Sequence, residues 1–361
     1  MIDLAARLSV GLAPVLLFLA VLISLDSYKL VSLGRTLSAI AVGGGLAAAC
    51  WAAHPALSAW MGLDGTAYAR YASPVIEETA KALFLVVLIR SNRVAFLVDA
   101  GILGFATGAG FTLVENLYYL GSLPAAGFGV WLVRGFGTAL MHGGVTAAFG
   151  IASRALLERG GLPVFTTYFP GLLLAVTVHS AYNHFFLSPV LSTAAVLVVL
   201  PPVVYVVFER SEKALERWLN IGFDADTELL ELILAGGLST SNVGRYLQSL
   251  RDRFRGEVVV DMACYLRVHV ELSLRAKGWL MLRESGFDVP PDEETRAQLE
   301  ELRFLERSIG TTGKLAMAPF LRLGAKDLWQ LHLLRDGAGR ADAERLDAAV
   351  EAPRRSGRGP A

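Results

Sequence analysis

Long apolar runs, interrupted by charge at a few places, dominate the first 208 residues; beyond them charged and apolar residues alternate at helical spacing. Residues 8–25 lie between Arg7 and Asp26 and are long enough to cross a hydrocarbon core about 30 Å thick. A cleaved signal peptide needs a basic start and a small-residue cleavage site, which MIDLAARL and LISLDSYKL do not supply, so this run reads as a retained first span. Further spans are expected over 37–53, 73–90, 94–120, 128–157, 164–187 and 188–208, the last broken by Pro201 and Pro202. The pattern predicts an all-α protein: a polytopic transmembrane helix bundle of about seven spans over residues 1–208, then a small, mostly helical cytoplasmic domain over 209–348. Residues 349–361, rich in Arg, Gly and Pro, are expected to be a disordered tail.

Composition supports the membrane assignment. Only 18% of residues are charged against 54% hydrophobic, where an ordinary soluble domain carries roughly 25% charged residues. Lys+Arg and Asp+Glu balance at 33 each, so net charge implies no nucleic-acid partner. Cys50 and Cys264 are too few for a secreted disulfide framework and carry no assigned chemistry. Glycines 43–45 in the second span and Gly101, Gly104 and Gly108 in the fourth predict close helix contacts.

Candidate chemistry lies where polar residues interrupt the spans. SPVIEETAKALFLVVLIR places Glu77 and Glu78 a helical turn above Lys81. An ionisable residue at a bilayer centre costs roughly 2.5–3.5 kcal/mol on insertion scales, which makes this cluster a functional candidate. The fourth span ends in FTLVENLYYL, with Phe111 and Glu115 on one face and Asn116 beside them. In the fifth, Arg134, Thr138 and His142 step along one face; in the sixth, His179 and Asn183 share a face while His184 points elsewhere. Gly143 and Gly144 are expected to admit another backbone beside His142.

Basic residues set the expected orientation. With seven spans, the loops on the amino-terminal side hold only Arg7 and Arg70, whereas the opposite side holds Lys29, Arg35, Arg90, Arg93, Arg154 and Arg159. The positive-inside rule then puts the amino terminus outside and the carboxyl-terminal domain in the cytoplasm, as in a bacterial-type plasma membrane. In that orientation Glu77, Glu78, Glu115, His142, His179 and Asn183 are expected at one depth, in the outer half of the bilayer.

Two adjacent carboxylates in low dielectric cannot both ionise cheaply. One is therefore a candidate general base or acid, while Lys81 favours ionisation of the other. His142 could position a water, and His179 with Asn183 could donate hydrogen bonds to a developing oxyanion. No serine or cysteine nucleophile pattern accompanies the group, which leaves water as the nucleophile. A Zn²⁺ held by His142, His179 and either Glu115 or Glu77 would also activate water. The chain lacks a helical His-Glu-x-x-His pattern, so spacing favours a metal-free mechanism, and Lys81 one turn below Glu77 favours that glutamate as the base. Glutamine at either Glu77 or Glu78 is expected to abolish turnover and leave folding intact.

Glu77-Glu78-x-x-Lys81, Phe111-x-x-x-Glu115-Asn116, Arg134 followed by His142, and His179-x-x-x-Asn183 together resemble the PrsW family of intramembrane proteases, which shares a superfamily with CaaX-processing and bacteriocin-processing enzymes. The resemblance covers residues 30–210 and implies peptide-bond hydrolysis in the membrane, on single-span membrane proteins such as anti-sigma factors, near the extracytoplasmic side. Relatives in the CaaX-processing branch carry Phe-x-x-x-His where this chain has Phe111-x-x-x-Glu115, so His142 is expected to supply that imidazole. Two other classes fit a polar cluster in a membrane: an ion- or proton-coupled transporter and an inactive scaffold. A transporter would commonly show an internal repeat, which this sequence lacks.

Overall fold

The computed structural model describes residues 4–123, 125–287, 289–321 and 326–339. The expected tail at 349–361 and the end of the helical domain beyond residue 339 lie outside the described residues. Every regular element described is helical: α1 (Leu4–Ser24), α2 (Leu33–Met61), α3 (Gly65–Ala67), a π-helical turn (Tyr68–Ala72), α4 (Ser73–Arg90), α5 (Leu97–Ser122), α6 (Phe128–Leu132), a second π segment (Val133–Thr138), α7 (Ala139–Glu158), α8 (Val164–His184) and α9 (Pro189–Leu234). They are followed by a short 3₁₀ turn (Gly237–Thr240), α10 (Asn242–Ser249), α11 (Gly256–Glu284), α12 (Glu293–Met317) and a last helix over 326–339. The chain divides into two compact units, Met1–Ala214 and Leu215–Ala361, with the boundary inside α9.

In the first unit, α1, α2, α5, the continuous run 128–158, α8 and α9 are long and apolar enough to cross a membrane. The chain is an integral membrane protein. Helix α4 would be the seventh span. It differs from the six because Glu77, Glu78, Lys81 and Arg90 fall within its 18 residues, the first three buried in the protein rather than exposed. Helices α1 and α9 expose Leu16, Leu17, Val21, Val198, Val199 and Tyr205, side chains a lipid tail solvates as well as a protein core would. Sequence reasoning broke the last span at Pro201 and Pro202, but α9 runs through both. Neighbouring groups in membrane helices tolerate the hydrogen bonds a proline removes.

Helix α5 is the axis of this unit, packed chiefly on α2 and α7. Its glycines allow backbones to touch. A Cβ at Gly110 would overlap Ile40 O, one at Gly108 would overlap His142 O, and one at Gly104 would lie 2.8 Å from Ala147 Cα. The contact at Gly108 seats His142 against α5, while the room at Gly143 and Gly144 is taken by side chains, the Phe105 ring and Leu200, rather than by the backbone expected there. Asp99 is buried at the start of α5. It accepts from Ala95 N, Phe96 N and Ala100 N at 2.8–2.9 Å and so satisfies donors that a helix start leaves open.

The second unit is a small helical core built on α11, whose Met262, Leu266, Leu272 and Leu280 are fully buried among the unit's own residues, with Leu302 of α12. Gly236, in the left-handed region at φ 74°, follows the end of α9, and Asp292 caps α12 by accepting from Thr295 N at 2.8 Å. Lys277, 1% exposed, pairs with Asp226 and donates to Ser273 Oγ at 3.1 Å. On the preceding turn His269 is also buried, and that burial holds its imidazole down to about 4, with Asp226 pulling upward and Lys277 downward. The unfolded chain, with a histidine near its ordinary 6.5, then binds more protons than the folded unit below that pH. Stability should therefore be whole above pH 6.5 and fall by roughly 3 kcal/mol as pH drops to about 4. Unfolding of wild type and His269→Gln at pH 7 and pH 4.5 checks this: the variant should lose that part of the acid sensitivity.

Candidate active site

Successive helix residues point about 100° apart, so Glu77 and Glu78 cannot share one environment. Glu77 faces a cavity of about 590 Å³ between the helices. Ser73, one turn earlier on α4, donates to Glu77 Oε1, and His54 Nε2 of α2 lies 3.7 Å from the same oxygen. Among the described residues no lysine or arginine pairs with Glu77.

Glu78 is 2% exposed and turns inward. Its Oε1 accepts from Lys81 Nζ at 2.6 Å and meets His179 Nδ1 at 2.7 Å, with His142 Nδ1 at 3.7 Å. The sequence offered Lys81 to both glutamates; the structure gives it to Glu78. That corrects the expectation that glutamine at position 78 would spare folding, because Lys81, 0% exposed, would lose the carboxylate that balances its charge. Lys81 Nζ also lies 3.0 Å from His142 Nδ1 and 4.7 Å from the Phe111 ring centroid.

A second ion pair supports His142 from the other side. Glu115 Oε2 lies 3.5 Å from His142 Nε2, and its Oε1 lies 3.3 Å from the guanidinium of Arg134. Arg134 donates from Nε to Asn116 Oδ1 at 2.8 Å and stacks 3.7 Å over Tyr119, while Asn116 donates to Gly11 O of α1. Arg134 sits in the second π segment, and Ser73 directly follows the first. Such segments widen a helix by one residue per turn and recur at functional sites.

The candidate site residues named from the sequence therefore lie in one place, with one difference of detail at Asn183. His142 and His179 meet edge to face, ring centroids 4.5 Å apart, and both line the cavity with Glu77, Glu115 and Arg134. Asn183 also lines it, but its Nδ2 donates to Ala69 O at 2.9 Å, and Ser180 donates to Arg70 O at 2.7 Å, so this face of α8 anchors the first π segment. His184 turns away to Ser180 O, as its spacing implied. Sequence reasoning missed Ser73, four residues before Glu77, and the α2 wall of Ala47, Cys50 and His54, whose spacing of three and four residues marks one helical face.

Glu77, His142 and His179 each present one ligand atom within 4.8 Å of the others, all from buried side chains. Two imidazoles with one carboxylate form a known donor set of catalytic zinc. Glu78 behind His179 is the carboxylate such a ligand ordinarily leans on. Lys81 pairs with Glu78 and Arg134 with Glu115, which leaves Glu77 as the cavity carboxylate with no lysine or arginine beside it among the described residues. These residues fit a divalent cation. The missing His-Glu-x-x-His pattern does not weigh against it, since the ligands come from α4, α7 and α8 rather than one helix.

No curated protein and no solved structure matches the chain. One family model does, described as PrsW family intramembrane metalloprotease, over residues 33–208, which takes in α2 through the membrane part of α9 and every residue of the cluster. With its helical membrane bundle and its buried glutamate–histidine cluster, this stretch of the chain belongs to the PrsW family, and the protein is a membrane protease of that family.

Proposed function

We propose that the protein hydrolyses a peptide bond of a single-span membrane protein, such as an anti-sigma factor or another anchored regulator, near the extracytoplasmic face of a bacterial-type plasma membrane. The supporting observation is the division of labour between two adjacent glutamates: Glu77 opens to the cavity without a cationic partner, while Glu78 is occupied by Lys81 and His179. Glu77 takes a proton from the attacking water and later gives it to the leaving amine. Glu78 fixes His179, and the Arg134–Glu115 pair borders His142, so both imidazoles stand ready beside the attacking water. The cavity is large enough for a short extended stretch of substrate, and its α2 wall is lined by the small residues Ala47 and Ala48.

His142, His179 and Glu77 are also the residues that would hold a divalent cation. When bound, the cation would supply Lewis acidity toward the scissile carbonyl. A carboxylate has two oxygens, so Glu77 can ligate with one and receive the proton on the other. Purified protein should carry one tightly held divalent ion per chain, which His142→Ala and His179→Ala each release, and chelator should stop turnover. Elemental analysis beside activity checks this; full turnover in protein stripped of metal would leave Glu77 and the histidines to act unaided.

The distribution of lysine and arginine supports an amino terminus outside and a cytoplasmic carboxyl-terminal unit, which puts the cluster in the outer half of the bilayer. Screening the reconstituted chain against single-span membrane proteins tests the proposal; only substrates with an outer-half cut site should yield fragments.

A further inference from the structure

Three polar residues of the cavity wall, His54, Tyr68 and Tyr182, are used neither by the family's motifs nor by the chemistry above, and the first two stand together. His54 Nε2 is buried without a hydrogen-bond partner in the protein, 3.7 Å from Glu77 Oε1. Tyr68, 5% exposed, has its hydroxyl equally buried and unpartnered, and its ring meets that of His54 edge-on at 5.2 Å. A buried polar group left unpaired typically costs about 1–3 kcal/mol. Two such groups side by side, on the wall that carries Glu77, invite a ligand that accepts hydrogen bonds. The donor role that spacing gave to Asn183 has a weaker footing, because that amide already donates to Ala69 O. The same bond holds the short π turn in which Tyr68 stands, so Asn183 positions Tyr68.

We propose that His54 Nε2 and the Tyr68 hydroxyl are the hydrogen-bond donors to the scissile carbonyl oxygen, and that they strengthen their hold as that oxygen becomes an oxyanion. This rests on the peptidase reading given above. In the step concerned, the water oxygen bonds to the carbonyl carbon, the carbonyl π pair moves onto oxygen, and the water's proton passes to Glu77. Collapse restores the carbonyl, breaks the C–N bond and returns the proton from Glu77 to the leaving nitrogen. His54 and Tyr68 donate throughout without giving up a proton. Their substrate partner is a peptide carbonyl, so their contribution is independent of the side chains on either side of the cut.

The test compares His54→Ala, His54→Gln and Tyr68→Phe with wild type, all as full-length reconstituted protein, on a substrate the wild type cleaves. His54→Ala should lower kcat roughly 10²–10³-fold with KM nearly unchanged, the loss typical of one oxyanion donor. His54→Gln, which keeps an N–H donor, should recover part of it, and Tyr68→Phe should lose kcat by a smaller factor. Thermal midpoint and bound-metal content should match wild type in all three. Loss of bound metal in His54→Ala would make His54 a ligand instead, and a lowered midpoint without rescue by glutamine would make it a packing residue; either overturns the assignment. A wild type that cleaves and variants that cleave equally well also overturn it and leave the peptidase reading standing. A wild type that cleaves no peptide bond removes both.

Discussion

Glu77→Gln should fold, insert and bind substrate, yet turn over at least about 10³-fold more slowly than wild type, within the range that general-base removal costs. Folding is spared because Glu77 has no lysine or arginine partner to strand among the described residues, and glutamine still accepts the Ser73 hydroxyl with its amide oxygen. Turnover is not spared, because an amide does not take the water's proton. A thermal midpoint that matches once both proteins are stripped of metal, with turnover lost, is the expected pair of results. Turnover kept within tenfold would transfer the base role to another group, and Glu115 is the other carboxylate lining the cavity.

The neighbouring glutamate should behave in the opposite way. Glu78→Ala removes the partner of an ammonium that is 0% exposed and the acceptor for His179 Nδ1 at 2.7 Å. Breaking a buried ion pair from one side destabilises by about 3–5 kcal/mol, whereas replacing both partners by apolar groups of similar volume costs far less. Glu78→Ala should therefore lower the unfolding free energy in detergent by that amount, and adding Lys81→Met should restore much of it. Both proteins should be inactive, since His179 has lost its orientation in each. Strict additivity of the two substitutions would show that the 2.6 Å contact carries no coupling.

Much of this site is legible in the amino-acid sequence. Charge inside apolar helices is costly enough to stand out, and alternating chain direction converts sequence position into depth, so spacing alone brings Glu77, Glu78, Glu115, His142 and His179 together. What spacing cannot give is the choice among partners within reach. Lys81 is a helical turn from both glutamates, and only packing of α7 and α8 against α4 turns it to Glu78, where both histidines gather. Asn183 has the right depth but spends its amide on Ala69 O, because residues 68–72 form a π turn that no periodicity announces. His54 is hidden for a different reason. One histidine in a helix rich in alanine and glycine looks like a packing residue until the Ala47–Cys50–His54 face is seen to border the cavity. The carboxyl-terminal unit is legible as helical from its amphipathic repeats and its breaks at Gly236 and around Pro290–Pro291, but the Lys277–Asp226–Ser273 group within it gives no local signal, since Asp226 lies about fifty residues from the other two.

One measurement bears most directly on the claim that the buried cluster cleaves peptide bonds inside the membrane. Reconstituted protein is incubated with single-span substrates, and the new chain ends are mapped by mass spectrometry, wild type beside Glu77→Gln. The expected result is a matched pair of new termini within the outer half of the substrate's span, formed by wild type and absent with Glu77→Gln. Termini that appear equally with both proteins, or that fall only in soluble loops of the substrate, would contradict it.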